Sequence, residues 1–476
     1  MANERTPLYA HRLFRENVDD SGEQIYTKSD SFYQVKPKRK QRLPVELEFS
    51  LNNGIILPQT KIPGKFGEKK IPFLLQCALV VACILAIILS IGFGYSLSVL
   101  YAELIREFNA DRTLVAFNQS IYEALLAVGG ALWSYPVSKL GYGYSIMIGG
   151  FLGSFSMAIC SLAKNVPTVI VLVGFISGAS FGVVYMGPFI VAGDISKRYK
   201  AAVIGFVSIG SSFGQFAMPY AMERCISEYG WEGALLVLGA LCLNAVPCGL
   251  IMLVVHRARG AEGDSAQSAS AKRSLFKSSL FNSKMFWLLM LNSIILAFTI
   301  LAESRFLVDL AELRGYTRTE GSFLIQMIGV GNLVGGLMGV ASKIVCRLSS
   351  AAHMSYCILV VAASHVMVVY FDTYSGLIGA AFVNGVGVGN IIAHVAVVMF
   401  EIYGIEDFAP SFASWNIMKG VGNLMGGSLG GVIQDTTGSY DLLFQISAIL
   451  SVFYSFSFAG ICVYRWRRSR TYKLIM

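Results

Sequence analysis

An all-α polytopic membrane protein, with twelve transmembrane helices in two six-helix halves, is the fold class this sequence predicts. Three observations predict it. Of 476 residues, 55% are hydrophobic and 14% charged, whereas soluble domains carry about 25% charged residues. Twelve apolar segments reach the about 20 residues that a helix needs to cross a hydrocarbon core of about 30 Å. The polar stretch HRARGAEGDSAQSASAKRSLFKSSLFNSK divides those segments six and six.

The elements follow in order. Residues 1–73 are polar and charged and lack a long apolar core, so they hold neither a signal peptide nor a span. They read as a cytosolic, largely disordered tail. Its basic run VKPKRKQR, Val35 to Arg42, is a solvated stretch or a contact with anionic lipid. The N-terminal six-helix bundle, 74–255, places spans at 74–100, 114–137, 144–162, 166–192, 201–220 and 231–255. A cytosolic linker, 256–284, follows; its Ser, Ala, Gly and charge suit no packed core. The C-terminal bundle, 285–464, places spans at 285–308, 323–345, 354–370, 377–400, 408–433 and 442–464, ahead of a basic cytosolic tail, 465–476.

Lysine and arginine orient the chain, because cytosolic loops carry the excess of both. With both ends cytosolic, the inner loops hold Lys139, the cluster Lys197, Arg198 and Lys200, the linker, and RWRRSR at Arg465 to Arg470. The outer loops are balanced: Glu103, Arg106, Glu107, Asp111 and Arg112 in the first, and Glu223, Arg224 and Glu228 in the third. The net +9 therefore bears on orientation and the lipid bilayer, not on nucleic acid. The sequon Asn118-Gln119-Ser120 lies inside the second span and reads as unmodified.

Several function classes drop out. No CxxC pair occurs among the nine cysteines, and the five histidines lack ligand spacing, so neither a disulfide framework, a metal nor another cofactor is implied. No nucleophile–base pair stands out, and an enzyme is not expected.

GVGNLVGG, Gly329 to Gly336, recurs as GVGNLMGG, Gly420 to Gly427, 91 residues on. A nucleotide loop needs a preceding strand; these octamers lie within spans. Gly331 and Gly335 stand four apart, as do Gly422 and Gly426, and Gly210 and Gly214 on the fifth span, so each pair shares a helix face. Small residues let helices approach closely in lipid. These glycines, with Gly205, read as packing or hinge positions, smooth strips expected where the halves slide, with direct substrate contact as the alternative.

Six plus six helices around a linker is the layout of the major facilitator superfamily, whose halves rock about a midplane site. Five stretches carry a closer resemblance: SIGFGYSLSVLYAEL (Ser90 to Leu104), SKRYKAAVIGFVSIGSSFG (Ser196 to Gly214), YGWEGALLVLGALCLN (Tyr229 to Asn244), RFLVDLAELRGYT (Arg305 to Thr317) and GGVIQDTTGSYDLLF (Gly430 to Phe444). In this order they resemble the monocarboxylate transporter family over nearly all of residues 74–465. The resemblance implies the major facilitator fold, a plasma-membrane location and a small-molecule solute such as a monocarboxylate or related organic anion. Departures accompany it. The Asp and Arg four apart in helix 8 of proton-coupled members fall on Gly331 and Gly335, and the lysine of helix 1 has no counterpart in GYSLSVLY. The paired prolines late in helix 11 are Gly427 and Ser428, and SKLGYG lacks the acidic residue between helices 2 and 3.

Ionisable groups inside spans are functional candidates by default. Family topology sets helix 2 beside helix 11. At about 1.5 Å per residue, Glu123 lies about 14 Å and Lys419 about 21 Å from their outer helix ends, an offset a lysine stem spans. They are expected to pair in one conformation and separate in the other, or to form a permanent packing pair. Glu303 and Arg305, near the outer end of helix 7, point to different faces. Arg305 reads as an attractor for an anionic substrate or as a boundary ion pair. His394 is a proton-carrying candidate or a packing residue. Asn332 and Asn423 bond across helices or to substrate, and Asn118 and Gln119 add polar lining on helix 2.

The leading reading is a secondary transporter of a small organic anion by alternating access. Proton symport through Glu123 or His394 is not supported by the usual residues. The rivals are an uncoupled facilitator of a neutral or zwitterionic solute and a non-transporting receptor or accessory protein. A proton and a single-span accessory protein are further partners to test.

Overall fold

The computed structural model describes residues 47–52, 55–60, 72–195, 200–259, 278–346 and 349–475. The basic run Val35 to Arg42, Lys197, Arg198 and most of the linker lie outside them. Two units separate, Met1–Gly67 and Glu68–Met476. In the first, β1 (Leu47–Asn52) pairs antiparallel with β2 (Ile55–Thr60), from Leu47 opposite Thr60 to Asn52 opposite Ile55. The tail expected to be largely disordered thus contains a strand pair. The local signal was present: polar and apolar residues alternate in LEFSLN, and Asn-Gly follows.

The second unit is helical. Its rods are α1 (Phe73–Phe108), α2 (Arg112–Leu132), α3 (Ser134–Cys160), α4 (166–195), α5 (200–229), α6 (231–259), α7 (Lys284–Leu313), α8 (Arg318–Cys346), α9 (Ser350–Tyr370), α10 (374–403), α11 (405–437) and α12 (Asp441–Ile475), with a short turn, Ser278–Phe281, before α7. Gly230 (φ 72°, ψ 176°) separates α5 from α6 and Gly404 (φ 69°, ψ −174°) separates α10 from α11 without a loop. That backbone region is essentially restricted to glycine, so one residue suffices to break each run. Nine stretches among the described residues are long and apolar enough to cross a membrane, one of them, Gly205–Ala258, holding both α5 and α6. The rods α2 and α11, which carry Glu123 and Lys419, are not among those stretches.

Within α4, residues Ile170–Ser177 widen into a π-helical turn. The Leu172 carbonyl there accepts from Ser156 of α3 (2.7 Å) and from Ser177 (3.2 Å). The widened turn is thereby tied to its neighbour instead of leaving a bare carbonyl in an apolar interior. At the start of α8, Thr317 and Glu320 form a capping box: Thr317 Oγ1 accepts from Glu320 N (3.2 Å), and Glu320 Oε2 accepts from Thr317 N (2.8 Å).

Each half is assembled by the same pairing of its six rods. The second packs on the fourth, where a Cβ on Gly129 would lie 2.3 Å from the Cα of Gly182, and one on Gly331 would lie 2.2 Å from the Phe382 carbonyl oxygen. The first packs on the fifth, Gly92 against Gly214 and Ile294 against Gly422. The third packs on the sixth, Gly150 against Ala245 in one half and Ser355 hydrogen-bonded to Ser455 in the other (3.0 Å). Inverted three-helix repeats produce such an exchange. Side chains such as Phe155, Phe175, Phe213 and Phe456 are turned outward and more than half exposed, as a hydrocarbon solvent allows.

Candidate functional site

The halves meet along two seams, α2 against α11 and α5 against α8. On the first, Gly420 abuts Ala124, Gly427 abuts Ser120 and Gly431 abuts Thr113; on the second, Gly329 abuts Ser212, Gln215 and Phe216. The four-apart glycines face elsewhere. Gly331 and Gly335 lie on Phe382, Gly385 and Val386 of α10; Gly422 and Gly426 lie on Ile294, Ala297 and Phe298 of α7; Gly210 and Gly214 lie on Ile84, Ile88 and Gly92 of α1. The expectation that these strips mark where the halves slide is corrected: they lock rods within each half, and the first glycine of each octamer touches the opposite half. Gly205 has open space around it and packs against nothing within 4 Å.

Midway along the first seam is a buried charge cluster. Glu123 of α2 is 7% exposed and Arg305 of α7 is 2% exposed, and they form an ion pair across the halves. Arg305 Nη1 also donates to the Asn423 carbonyl (2.7 Å), while its Nε has no hydrogen-bond partner. Gln119 donates to Glu123 Oε1 and to the Gly94 carbonyl, both at 3.3 Å. Lys419 of α11 is half-buried and close enough to interact electrostatically with Glu123. The cluster thus gathers two basic side chains and one carboxylate.

In this conformation the direct partner of Glu123 is Arg305, so the permanent Glu123–Lys419 pair is not what the depth of the two residues builds here. Depth arithmetic locates a residue along an axis but not around it, and the azimuth of α7 turns Arg305 inward. The boundary position inferred for Arg305 is corrected for the same reason. Glu303, two residues earlier, points to a different face, into the interior of the C-terminal half, with Ser364 and His365.

On the second seam, Asn332 Nδ2 donates to Gln215 Oε1 (3.1 Å) and Gln215 Nε2 donates to Ser304 Oγ (3.3 Å). Asn332 therefore joins the halves through a side chain, whereas Asn423 does so through its backbone oxygen on Arg305. Asn118 turns toward Gly174 of α4, and its Oδ1 has no partner. His394 stacks on His353 of α9, ring centroids 4.4 Å apart, inside the C-terminal half and away from this cluster. Gln215, His353 and His365 were missed by sequence reasoning; Gln215 and His365 were visible as polar residues inside spans, whereas His353 stands just before the span at 354–370.

A second polar layer closes the face of the bundle opposite the N-terminus of α1 and the C-terminus of α12. Arg112 grips Asp309 with both Nε (2.8 Å) and Nη2 (3.3 Å), and Asp309 also accepts from Tyr440 (2.7 Å), whose hydroxyl meets that of Tyr101 (3.0 Å). Arg318 pairs with Glu103, Arg106 with Glu312 (2.8 Å), and Thr319 donates to Glu223 (2.7 Å). Arg106, Arg112, Asp309 and Glu312 line a crevice of about 250 Å³. The residue before α2, Asp111, makes no side-chain cap. Instead Asp435 of α11 accepts from the backbone N–H groups of Arg112 (3.1 Å) and Thr113 (2.9 Å), capping α2 from the other half. Separating the halves here exposes that helix end as well as the ion pairs. Arg112→Gln should therefore lengthen the distance between spin labels at Asn109 and Thr436; an unchanged distance distribution would show that this layer is not a latch.

The comparisons with known proteins agree with this architecture. A family profile described as "Major Facilitator Superfamily" matches residues 82–363. Monocarboxylate transporter 12 of Rattus norvegicus is 25% identical over 413 residues, covering 79% of this chain and 83% of the relative. Monocarboxylate transporter 4 of Gallus gallus is 24% identical, covering 78% and 79%. A crystal structure of a D-xylose-proton symporter superposes with a TM-score of 0.64 at 14% identity, covering 81% of this chain and 96% of that one. These relatives are transporters rather than enzymes. The paired bundles, the spans and the family match together make this chain an integral membrane protein of the major facilitator superfamily, related in sequence to the monocarboxylate transporters.

Proposed function

We propose that this chain moves a small organic anion, a monocarboxylate or related carboxylate, across the plasma membrane by alternating access, with both termini cytosolic. The observation that carries the reading is the charge inventory of the α2–α11 seam: among the described residues, Arg305 and Lys419 are opposed by Glu123 alone, and Arg305 Nε is buried without a hydrogen-bond partner. An excess cation in a low-dielectric interior is stabilised by an anion, and a guanidinium suits a carboxylate best. The relatives named as monocarboxylate transporters support the same cargo class. In this reading Glu123 holds the place of the substrate carboxylate on Arg305, and the latch around Arg112, Asp309 and Asp435 closes the outer side.

Uptake of a labelled solute panel into proteoliposomes tests it. Saturable uptake confined to carboxylates, lost in Arg305→Gln, is the expected result. Saturable uptake of neutral or zwitterionic solutes would favour the facilitator instead. Binding of a solute without flux, in protein incorporated and correctly folded, would favour a receptor.

A further inference from the structure

The helix 8 positions where related carriers place an acid and a base are Gly331 and Gly335 here, and both are filled by the backbone of α10. A different acid and base meet nearby. Glu303 of α7 and His365 of α9 are both 0% exposed, with Glu303 Oε1 3.8 Å from His365 Nε2. Ser364 Oγ donates to Glu303 Oε1 (2.7 Å), and Asn384 Nδ2 of α10 donates to Ser364 Oγ (3.3 Å). Four polar atoms on three residues of this pocket have no hydrogen-bond partner: Glu303 Oε2, Asn384 Oδ1 and both ring nitrogens of His365.

We propose that Glu303 and His365 form a proton-binding pair that holds one shared proton inside the C-terminal half and couples transport to protons. The argument is one of charge. With one proton between them, the pair is either carboxylic acid with neutral imidazole or carboxylate with imidazolium, and both states are neutral overall. Removing that proton leaves a bare carboxylate; adding another leaves a bare imidazolium. Either isolated charge is strongly disfavoured in a dry interior. Among the described residues, the neighbours supply hydrogen bonds but no compensating charge. Thr299 of α7, Ser364 of α9 and Asn384 of α10 are uncharged, α12 presents the Phe444 ring 5.9 Å from the imidazole, and Arg305 is committed to Glu123 on the other face. The pair therefore keeps one proton while sealed and exchanges it when water reaches the unpartnered atoms. Alternate opening of the halves supplies that access, so the coupling part of the proposal rests on the transport reading above.

Two measurements on the full-length protein keep the parts separate. Infrared difference titration in nanodiscs should reveal the C=O stretch of a buried carboxylic acid that disappears in Glu303→Gln and titrates at a shifted pH in His365→Gln. In proteoliposomes, Glu303→Gln should lose accumulation driven by a pH gradient yet retain counterflow of the carboxylate that the wild type carries. A band unaltered in both variants would overturn proton binding. Accumulation by Glu303→Gln equal to wild type would overturn coupling, as would accumulation driven by a sodium gradient in place of the pH gradient. Should the wild type move no solute, the transport reading fails, and the infrared titration still decides whether the pair binds a proton. If Glu303→Gln does not assemble, the shift in His365→Gln decides the binding question.

Discussion

Glu123→Gln and Arg305→Gln, made singly, are expected to destabilise the folded transporter by about 3–5 kcal/mol each, the cost of leaving a buried charge without its partner. Arg305 is 2% exposed, and its remaining contact, the Asn423 carbonyl, cannot neutralise a guanidinium. The two losses should differ in kind. Glu123→Gln leaves Arg305 beside Lys419, so an added carboxylate solute should restore part of the lost thermal stability by binding the exposed cation. Arg305→Gln leaves Glu123 with Lys419 as its nearest cation, and no solute anion should help. The double variant Glu123→Leu with Arg305→Met should recover most of the stability, because an apolar pair of similar volume avoids the desolvation penalty, while uptake stays lost. Thermal unfolding of the purified variants, with and without the solute, checks all three. Equal rescue of both single variants by the solute would remove Arg305 from the binding site.

Gly335→Val is expected to be the most disruptive single change in the octamers. A Cβ at Gly335 would lie 2.0 Å from the Val386 carbonyl oxygen, and the reciprocal position on α10, Gly389, would place one 2.0 Å from the Asn332 carbonyl oxygen. Backbone cannot step aside as a side-chain tip can, so α8 and α10 must separate over at least a turn. Overpacking costs typically about 1–3 kcal/mol and occasionally more, and separation also withdraws Asn332 from Gln215 across the second seam. The variant should lose its monodisperse peak on size-exclusion chromatography. Gly205→Ala provides the contrast: nothing lies within 4 Å of its Cβ position, and folding should be unchanged. Equal behaviour of the two variants would show that close packing of α8 on α10 is not what these glycines supply.

Much of this was legible along the chain. The spans follow from hydropathy and length, because lipid leaves a helix few alternatives. The octamer repeat marked α8 and α11 as equivalent, and the structure gives them equivalent partners, α10 and α7. The candidate residues were also visible one by one, since a polar or charged residue inside an apolar run costs too much to be incidental. What remained hidden was which of them meet. Glu123 is as deep as Lys419 allows, yet it binds Arg305. Glu303 was read near the outer end of α7, yet it lies sealed beside His365. Asp435, in the last turn of α11, caps a helix of the other half.

The sequence by itself determined the solvent of this protein, the run of membrane-spanning rods, and most of the polar residues placed inside them. These are local properties, set by the transfer free energy of each segment and by helical periodicity. Only the tertiary structure decided the pairings: glycine strips against the neighbouring rod rather than the moving seam, Arg305 on Glu123, and Glu303 beside His365. Those depend on the rotation of each helix about its own axis, and that angle is set by packing against distant rods, which no stretch of sequence records alone.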